Sequence, residues 1–130
     1  MSRLFKQASW FIVVGCAAAA THWLIAVLCV ELAHLPPLLA NVVGWLTAFV
    51  VSFSGHYRLT FRHQRVGLWH ACRRFFLVSA GGFAVNEAAY ALLLRLQVLR
   101  YDVLLFLLLL GMAVITFLLS RYWVFRSKPA

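Results

Sequence analysis

Four apolar stretches constrain the fold of this chain more than any other feature of its sequence. They lie at about residues 8–30, 38–57, 71–94 and 101–123, and each supplies the roughly 20 apolar residues with which a helix crosses a bilayer. With 65% hydrophobic residues and a mean hydropathy of +0.91, the 130 residues are too apolar for a soluble domain. Because lipid offers no partner to an unpaired backbone group, every span is expected to be helical. The sequence therefore predicts an all-α membrane protein with four transmembrane helices.

The chain also repeats itself. A shift of 64 residues places the segment FSGHYRLTF, at 53–61, on FLLSRYWVF, at 117–125. The same shift places Phe11 on Phe75 near the starts of the first and third spans. We therefore predict two tandem two-helix repeats, at about residues 8–63 and 71–126, within a single membrane domain that covers residues 1–130. Paired halves of this kind are typical of transporters.

Positive charge is distributed unevenly along the chain. Of the 12 lysines and arginines, all but Arg95 and Arg100 lie near the start of the first span, around the connection between the second and third, or near the end of the fourth. Cytoplasmic segments of membrane proteins carry such an excess, so both termini and the central connection, about residues 58–70, are expected to be cytoplasmic. The net charge of +9 follows the spans, whereas a nucleic-acid site would gather it on one surface. We expect no nucleic-acid partner.

Cysteines and acidic residues are too scattered to build a chemical centre. The 3 cysteines form no CxxC pair, so neither a disulfide framework nor a zinc site is expected. The 3 acidic residues, Glu31, Glu87 and Asp102, lie far apart, and no Gly-rich phosphate loop opens a helix. We therefore expect no metal, no cofactor and no enzymatic activity. The first span follows two cations, as in a signal peptide, but its length and its repeat partner favour a retained helix.

Glu87 is the residue that points most directly to a function. It lies 12 residues after Phe75, about 18 Å along the third helix and a little past the middle of the bilayer. An ionisable side chain at that depth is costly, and it usually marks a substrate or ion pathway. Its neighbour Asn86 is the repeat counterpart of His22, so these three residues are predicted to bind the substrate inside the membrane. The alternative is a protonated glutamate and a hydrogen-bonded histidine that serve packing alone.

Basic and aromatic residues recur in the same order where each repeat ends. Arginine forms forked hydrogen bonds with phosphate, and aromatic rings anchor a helix at the interface. An ordinary aromatic belt would explain such ends, but not their repetition. The predicted cytoplasmic phosphate-binding residues are Arg58, Arg62, Arg73, Arg121 and Arg126, with Tyr57, Tyr122 and Trp123 as interface aromatics.

Small residues suggest how the helices pack. They occupy residues 15–20 of the first span and residues 79–82 and 84 of the third, at corresponding places in the two repeats. Small side chains let membrane helices approach closely, so helices one and three are expected to make the central contact, within one chain or across a dimer. Asn41 is interpreted as a contact between helices or with a headgroup. The aliphatic run at 103–110 is expected to face lipid.

The arrangement resembles the GtrA-like family of small bacterial membrane proteins, over essentially the full length of the chain. The family's features stand here as the aromatic-x-x-Val-Gly turn at 11–15, the Ala-Asn pair at 40–41, the Ser-Phe pair at 52–53, HYRLTF at 56–61, the Asn-Glu pair at 86–87 and SRYWVF at 120–125. The chain departs from the pattern in three places. Leu59 stands where an aromatic is usual, Tyr57 where arginine is usual, and His22 where many members have an acidic residue.

The resemblance implies a role in cell-envelope polysaccharide synthesis at the bacterial inner membrane. Family members are thought to move a polyprenyl-phosphate-linked monosaccharide from the cytoplasmic to the outer leaflet, after a partner glycosyltransferase has made it. On a second view they anchor or recruit that glycosyltransferase and move no lipid. Four helices are few to enclose a polar path, so a homodimer or higher oligomer is expected. A small multidrug exporter fits less well, because its essential glutamate lies in the first helix.

Overall fold

The computed structural model describes residues 2–60 and 67–119, with side chains described up to residue 115 in the last helix. Within these ranges the chain forms four α-helices and no strand: α1 (Ser2–Glu31), α2 (Pro37–Gly55), α3 (Leu68–Arg95) and α4 (Tyr101–Leu119). A π-helical turn, His56–Thr60, continues α2. Three of these segments, Ser2–Glu31, Pro37–Thr60 and Leu68–Arg95, are long and apolar enough to span a bilayer. The prediction of an all-α membrane protein with four helices is confirmed.

Several helix bounds differ from the predicted ones. The first helix begins at Ser2 because no glycine or proline interrupts the amphipathic turn before the apolar span. The central connection is shorter than predicted, since Arg58 lies in the π-helical turn and α3 already begins at Leu68, after the N-cap Gly67. Pro37 begins α2, as expected for a residue whose missing N–H costs nothing in a first turn. The predicted end of the fourth helix, residue 123, lies outside the described residues.

The closest packing in the bundle is between α1 and α2. A Cβ atom at Gly44 would lie 2.6 Å from the backbone oxygen of His22, and one at Gly55 would lie 2.7 Å from Cγ1 of Val14. Real Cβ atoms do not approach other atoms so closely, so both glycines are required by this interface. The two helices therefore form one tightly packed pair.

The predicted central contact between helices one and three within one chain is wrong. Helix α1 packs on α2 and α4, and α3 packs on the same two helices, so that α1 and α3 lie diagonally across the bundle. Most of the small residues on which the prediction rested, including Gly15 and Gly81, are exposed. The reason is that Gly44 and Gly55 let α2 come closer to α1 than any other helix does. Contact across a dimer stays a prediction.

An apolar core closes the bundle near the loops that join α1 to α2 and α3 to α4. It contains Ala26, Ala40, Tyr90, Leu104 and Leu105, all buried. Two of its pairs, Ala26 with Tyr90 and Ala40 with Leu104, are counterparts under the 64-residue shift. Helix α4 thus contributes two leucines to the core, although its aliphatic run was expected to face lipid. Its other residues in that run are exposed or half-buried.

Each of these loops contains one residue in the left-handed conformation. His34 has φ of 56° and Gln97 has φ of 52°. After α1, the N–H of Leu35 donates to the carbonyl oxygen of Cys29 at 3.1 Å, which satisfies one of the helix's last carbonyl groups. The two loops therefore share a left-handed residue shortly after the preceding helix. In the first loop, Pro36 and Pro37 then direct the chain into α2.

Candidate functional site

Three helices bring polar side chains together inside the bundle. The imidazole Nε2 of His22, on α1, lies 2.6 Å from Oδ1 of Asn41, on α2, and its N–H donates to that oxygen. The amide nitrogen of Asn41 then donates to Oδ1 of Asn86, on α3, at 2.9 Å. A longer contact of 3.4 Å joins the same nitrogen to Oε1 of Glu87. These four residues are called the polar centre below.

The polar centre is deep in the bundle and lies in one half of the membrane. Asn41 is 0% exposed, Asn86 4% and His22 6%, while Glu87 is half-buried. His22 is nine residues from the end of α1 and Asn86 is nine from the end of α3, which places both about 13 Å inside those helix ends. In a hydrocarbon core about 30 Å thick, this is the half nearer the two short loops.

Asn41 is the member of the polar centre that sequence reasoning undervalued. It is only four residues into α2, which suggested a contact with headgroups. In the structure α2 begins deeper than α1 and α3 end, so Asn41 reaches the same level as His22 and Asn86. A sequence signal existed, because Asn41, Gly44 and Ala48 share one helical face, and that face packs on α1.

The hydrogen-bonding capacity of the polar centre is incompletely used. The amide nitrogen Nδ2 of Asn86 is buried and has no hydrogen-bond partner among the described residues. Neither ion pair found in the described part of the chain includes Glu87. A buried donor without a partner costs about 1–3 kcal/mol. Asn86 and Glu87 thus present a donor and an acceptor side by side, which suits a hydroxyl group because it can accept from one and donate to the other.

A line of aromatic rings runs from the polar centre along the contact between α2 and α3. On α2, ring-bearing residues recur at every fourth position after Asn41: Trp45, Phe49, Phe53 and Tyr57. On α3 their neighbours are Phe75, Phe76 and Phe83. We call this contact the aromatic seam.

The two ends of the aromatic seam lie beside different parts of the protein. Beside the polar centre, Trp45 stacks on Phe83 with ring centroids 4.7 Å apart, and its indole N–H donates to Oγ of Ser79 at 2.8 Å. At the other end, Phe53 lies 5.7 Å from Tyr57 between ring centroids. The seam therefore connects the polar centre with the side that carries the π-helical turn. Sequence reasoning missed it. The four-residue spacing shows only that the rings after Asn41 share one helical face, and not which helix that face contacts.

The predicted phosphate-binding residues are only partly within the described residues. Arg58, in the π-helical turn, and Arg73, near the start of α3, both have exposed side chains. Next to Arg58, Nδ1 of His56 lies 3.0 Å from Oγ1 of Thr60, and both residues are buried. The other predicted residues lie outside the described part of the chain: Arg62, Arg121, Tyr122, Trp123 and Arg126. The cytoplasmic phosphate site stays a prediction.

An ion cluster joins the loop-side ends of α1 and α4. Arg100 donates through Nη2 to Glu31 at 2.9 Å and through Nε to Asp102 at 3.2 Å, and Tyr101 donates to the same carboxylate of Glu31 at 2.5 Å. Asp102, and then Glu31, raise the pKa of Arg100 above its usual value. Because Arg100 already pairs with two carboxylates, we expect it to bind a phosphate group poorly at the end of the bundle with the two short loops. Three or more His, Cys, Asp or Glu side chains do not gather as metal ligands anywhere in the described ranges.

Comparison with known proteins identifies the architecture. The sequence model of a family described as "GtrA/DPMS, transmembrane domain" matches residues 10–125. No curated protein and no solved structure matches the chain. The matched range covers α2, α3, α4 and all of α1 except its first eight residues. It includes the polar centre, the aromatic seam and the ion cluster.

Proposed function

Because the chain belongs to the GtrA/DPMS transmembrane-domain family, we propose that it translocates a polyprenyl-phosphate-linked monosaccharide across the bacterial inner membrane. The family indicates a membrane protein of glycosyl-lipid-related function, and it is generally non-catalytic. In this proposal a membrane-associated glycosyltransferase supplies the lipid-linked sugar on the cytoplasmic side. The chain then exposes the sugar in the outer leaflet, for addition to cell-envelope polysaccharide.

The observation that carries the proposal is the incompletely bonded polar centre. A bundle that served only as an anchor would gain nothing from the buried Asn86 amide, because an unpaired donor in an apolar interior is destabilising. A sugar hydroxyl could accept from this amide and donate to the Glu87 carboxylate. The site would then hold the polar part of the substrate at a depth where water is scarce, while the polyprenyl chain stays in lipid.

Capture of the phosphate is assigned to the cytoplasmic arginines. Arg58 and Arg73 expose their side chains on the segments that flank the central connection. We propose that they act with Arg62, Arg121 and Arg126 to hold the phosphate at the interface, where a charged group is still hydrated. Only the sugar would then need the polar centre during its passage.

Leaflet exchange in proteoliposomes tests the proposal. Purified protein should speed the exchange of a polyprenyl-phosphate-hexose between leaflets well above the rate in protein-free vesicles. Glu87→Gln keeps the shape but replaces a charged acceptor with a weaker neutral one. It should slow exchange by at least about tenfold, the effect of roughly 1.4 kcal/mol. Thr47→Val is the matched control, since the Thr47 hydroxyl bonds only to the carbonyl of Val43 in its own helix. An unaffected Glu87→Gln variant would make Glu87 structural.

A second function is favoured by the exposed basic residues Arg58, Arg73 and Arg74 around the central connection. These could hold a partner glycosyltransferase at the membrane without any lipid transport. This alternative predicts no exchange by folded protein with any of several hexoses. It also predicts that replacing the arginines of residues 58–74 abolishes co-purification with a co-expressed polyprenyl-phosphate glycosyltransferase, while Glu87→Gln leaves it intact.

A further inference from the structure

The four helix contacts of the bundle differ in how readily they can part. Gly44 and Gly55 fit α2 so tightly against α1 that no Cβ atom has room at either position. Separating this pair would open a gap without another partner for the buried surfaces. Contact between α2 and α3 is much less extensive and is made largely by aromatic rings. Of the two contacts that α2 makes, the aromatic seam is therefore the weaker.

Aromatic rings can also exchange their partners at low cost. A stacked ring pair adds only a small attraction beyond its buried area. A ring face can make an equivalent contact with the C–H face of a pyranose. Trp45 and Phe83 lie nearly parallel, with planes 11° apart. A pyranose chair inserted between them would meet an aromatic face on each side. Stacking of the sugar on both rings would then take the place of their stacking on each other.

The location of this ring pair connects it to the polar centre. Phe83 lies one helical turn before Asn86 on α3, and Trp45 lies one turn after Asn41 on α2. The ring of Phe83 also lies 6.4 Å from the ring of His22, measured between centroids. A sugar between Trp45 and Phe83 would thus have its hydroxyl groups beside the free donor of Asn86 and the carboxylate of Glu87.

We propose that the sugar enters sideways between α2 and α3, where Trp45 and Phe83 part and hold a pyranose ring between them, while α1 and α2 stay together. This rests on the proposed function, because it assigns the route and the stacking residues for the same substrate. The ligand class is a hexose in the pyranose form with an apolar C–H face. The polyprenyl chain remains outside the seam, in lipid.

Reversible cross-linking tests the route. In a background without Cys16, Cys29 and Cys72, the pair Phe49→Cys and Phe76→Cys would be bridged across the seam with a bifunctional methanethiosulfonate. The matched control is Val14→Cys with Gly55→Cys. A Cβ at Gly55 would lie 3.3 Å from the Cβ of Val14, close to disulfide geometry, and Val14→Cys removes the two methyl groups that leave no room for that Cβ in the wild type. Bridging the seam should lower hexose-lipid exchange by about tenfold or more and reductant should restore it. Bridging α1 to α2 should change the rate less than about twofold. Full exchange through a bridged seam would overturn the proposal.

A binding measurement separates this proposal from the proposed function. A polyprenyl-phosphate-hexose with a photoreactive diazirine on the sugar would be cross-linked to wild-type protein in detergent, and the labelled peptides identified by mass spectrometry. Label on the peptides that carry Trp45 and Phe83 supports the sugar site even if vesicles show no exchange. Label confined to α1 and α4 overturns it even if exchange is fast.

Substitution of the indole completes the test. Trp45→Leu should lower the yield of label by about two- to tenfold, and Trp45→Phe should recover most of it because the stacking face returns. Trp23→Leu is the control, since the Trp23 indole bonds to the carbonyl of Asp102 and packs edge-on against Phe106, on α4. Equal losses for Trp45→Leu and Trp23→Leu would mean that the indole at 45 acts only on stability.

Discussion

At the scale of single residues, Asn41 carries more of the structure than its position near a helix end suggests. It is fully buried and bonds to His22 on α1 and to Asn86 on α3, with the longer contact to Glu87 beside it. Under the 64-residue shift its counterpart is Leu105, which is also fully buried. The same place in the two halves therefore holds a polar link in one and an apolar packing residue in the other.

Replacing Asn41 should show what this link contributes. Asn41→Leu, which copies its counterpart, leaves His22 and Asn86 buried without their shared partner, so stability should fall by about 1–3 kcal/mol. The midpoint of thermal unfolding in detergent measures the loss. Thr47→Val, which removes only a bond within α2, should change the midpoint much less. A leucine variant as stable as wild type would contradict this role for Asn41.

His34 offers a gain in stability. It adopts φ of 56°, a conformation that costs an L-residue with a Cβ atom roughly 1–2 kcal/mol. His34→Gly removes this cost, although glycine also loses more freedom on folding, so a net gain of about 0.5–1 kcal/mol is expected. Thermal unfolding of His34→Gly should shift upwards. The neighbouring Ala33→Gly, outside the left-handed region, should bring no gain and serves as the control.

At the scale of elements, four helices and their order were predictable because hydropathy depends only on local composition. The helix faces that contact each other were not predictable in this way. Gly15 and Gly44 each lie in an apolar span that contains other small residues, yet of the two only Gly44 lies in a tight contact. The repeat placed His22 opposite Asn86, and in the structure these two residues are linked through Asn41, which bonds to both. The aromatic seam required knowledge that α2 and α3 are adjacent, which periodicity along one helix does not provide.

Alanine substitutions at the glycines distinguish tight from open contacts. Gly44→Ala and Gly55→Ala should each destabilise the protein by about 1–3 kcal/mol, because the added methyl group overpacks the contact between α1 and α2. Gly15→Ala and Gly81→Ala have open space at the same atom and should be neutral or stabilising by up to about 1 kcal/mol. Unfolding midpoints of the four variants check this. A destabilised Gly15→Ala would instead support a contact across a dimer.

At the scale of the whole molecule, the charge asymmetry predicts orientation. Two short loops flank the ion cluster, and the basic connection lies at the opposite end of the bundle. With the termini in the cytoplasm, the loop at residues 32–36 should face the periplasm. Sequence and structure agree that the two short loops and the basic connection lie at opposite ends of the bundle. Which end faces the cytoplasm follows from the positive-inside rule alone.

Cysteine labelling in intact cells checks the orientation. In the background without native cysteines, Ala33→Cys should react with a membrane-impermeant maleimide from outside. Gly67→Cys, at the start of α3, should react only after the membrane is permeabilised. The reverse pattern would place the arginines on the outside and would remove the argument that they receive a cytoplasmic phosphate.

The difference between Asn41 and Leu105 has a consequence for how the chain can vary. Under the 64-residue shift each position has a counterpart, and of this pair only Asn41 belongs to the polar centre. Leu105 takes no part in the polar centre, so its position requires only an apolar side chain of suitable volume. A saturation mutagenesis scan should therefore find unequal tolerance at matched positions, with few substitutes accepted at 41 and several aliphatic ones at 105. The two predicted repeats would then differ in the substitutions that they accept at matched positions.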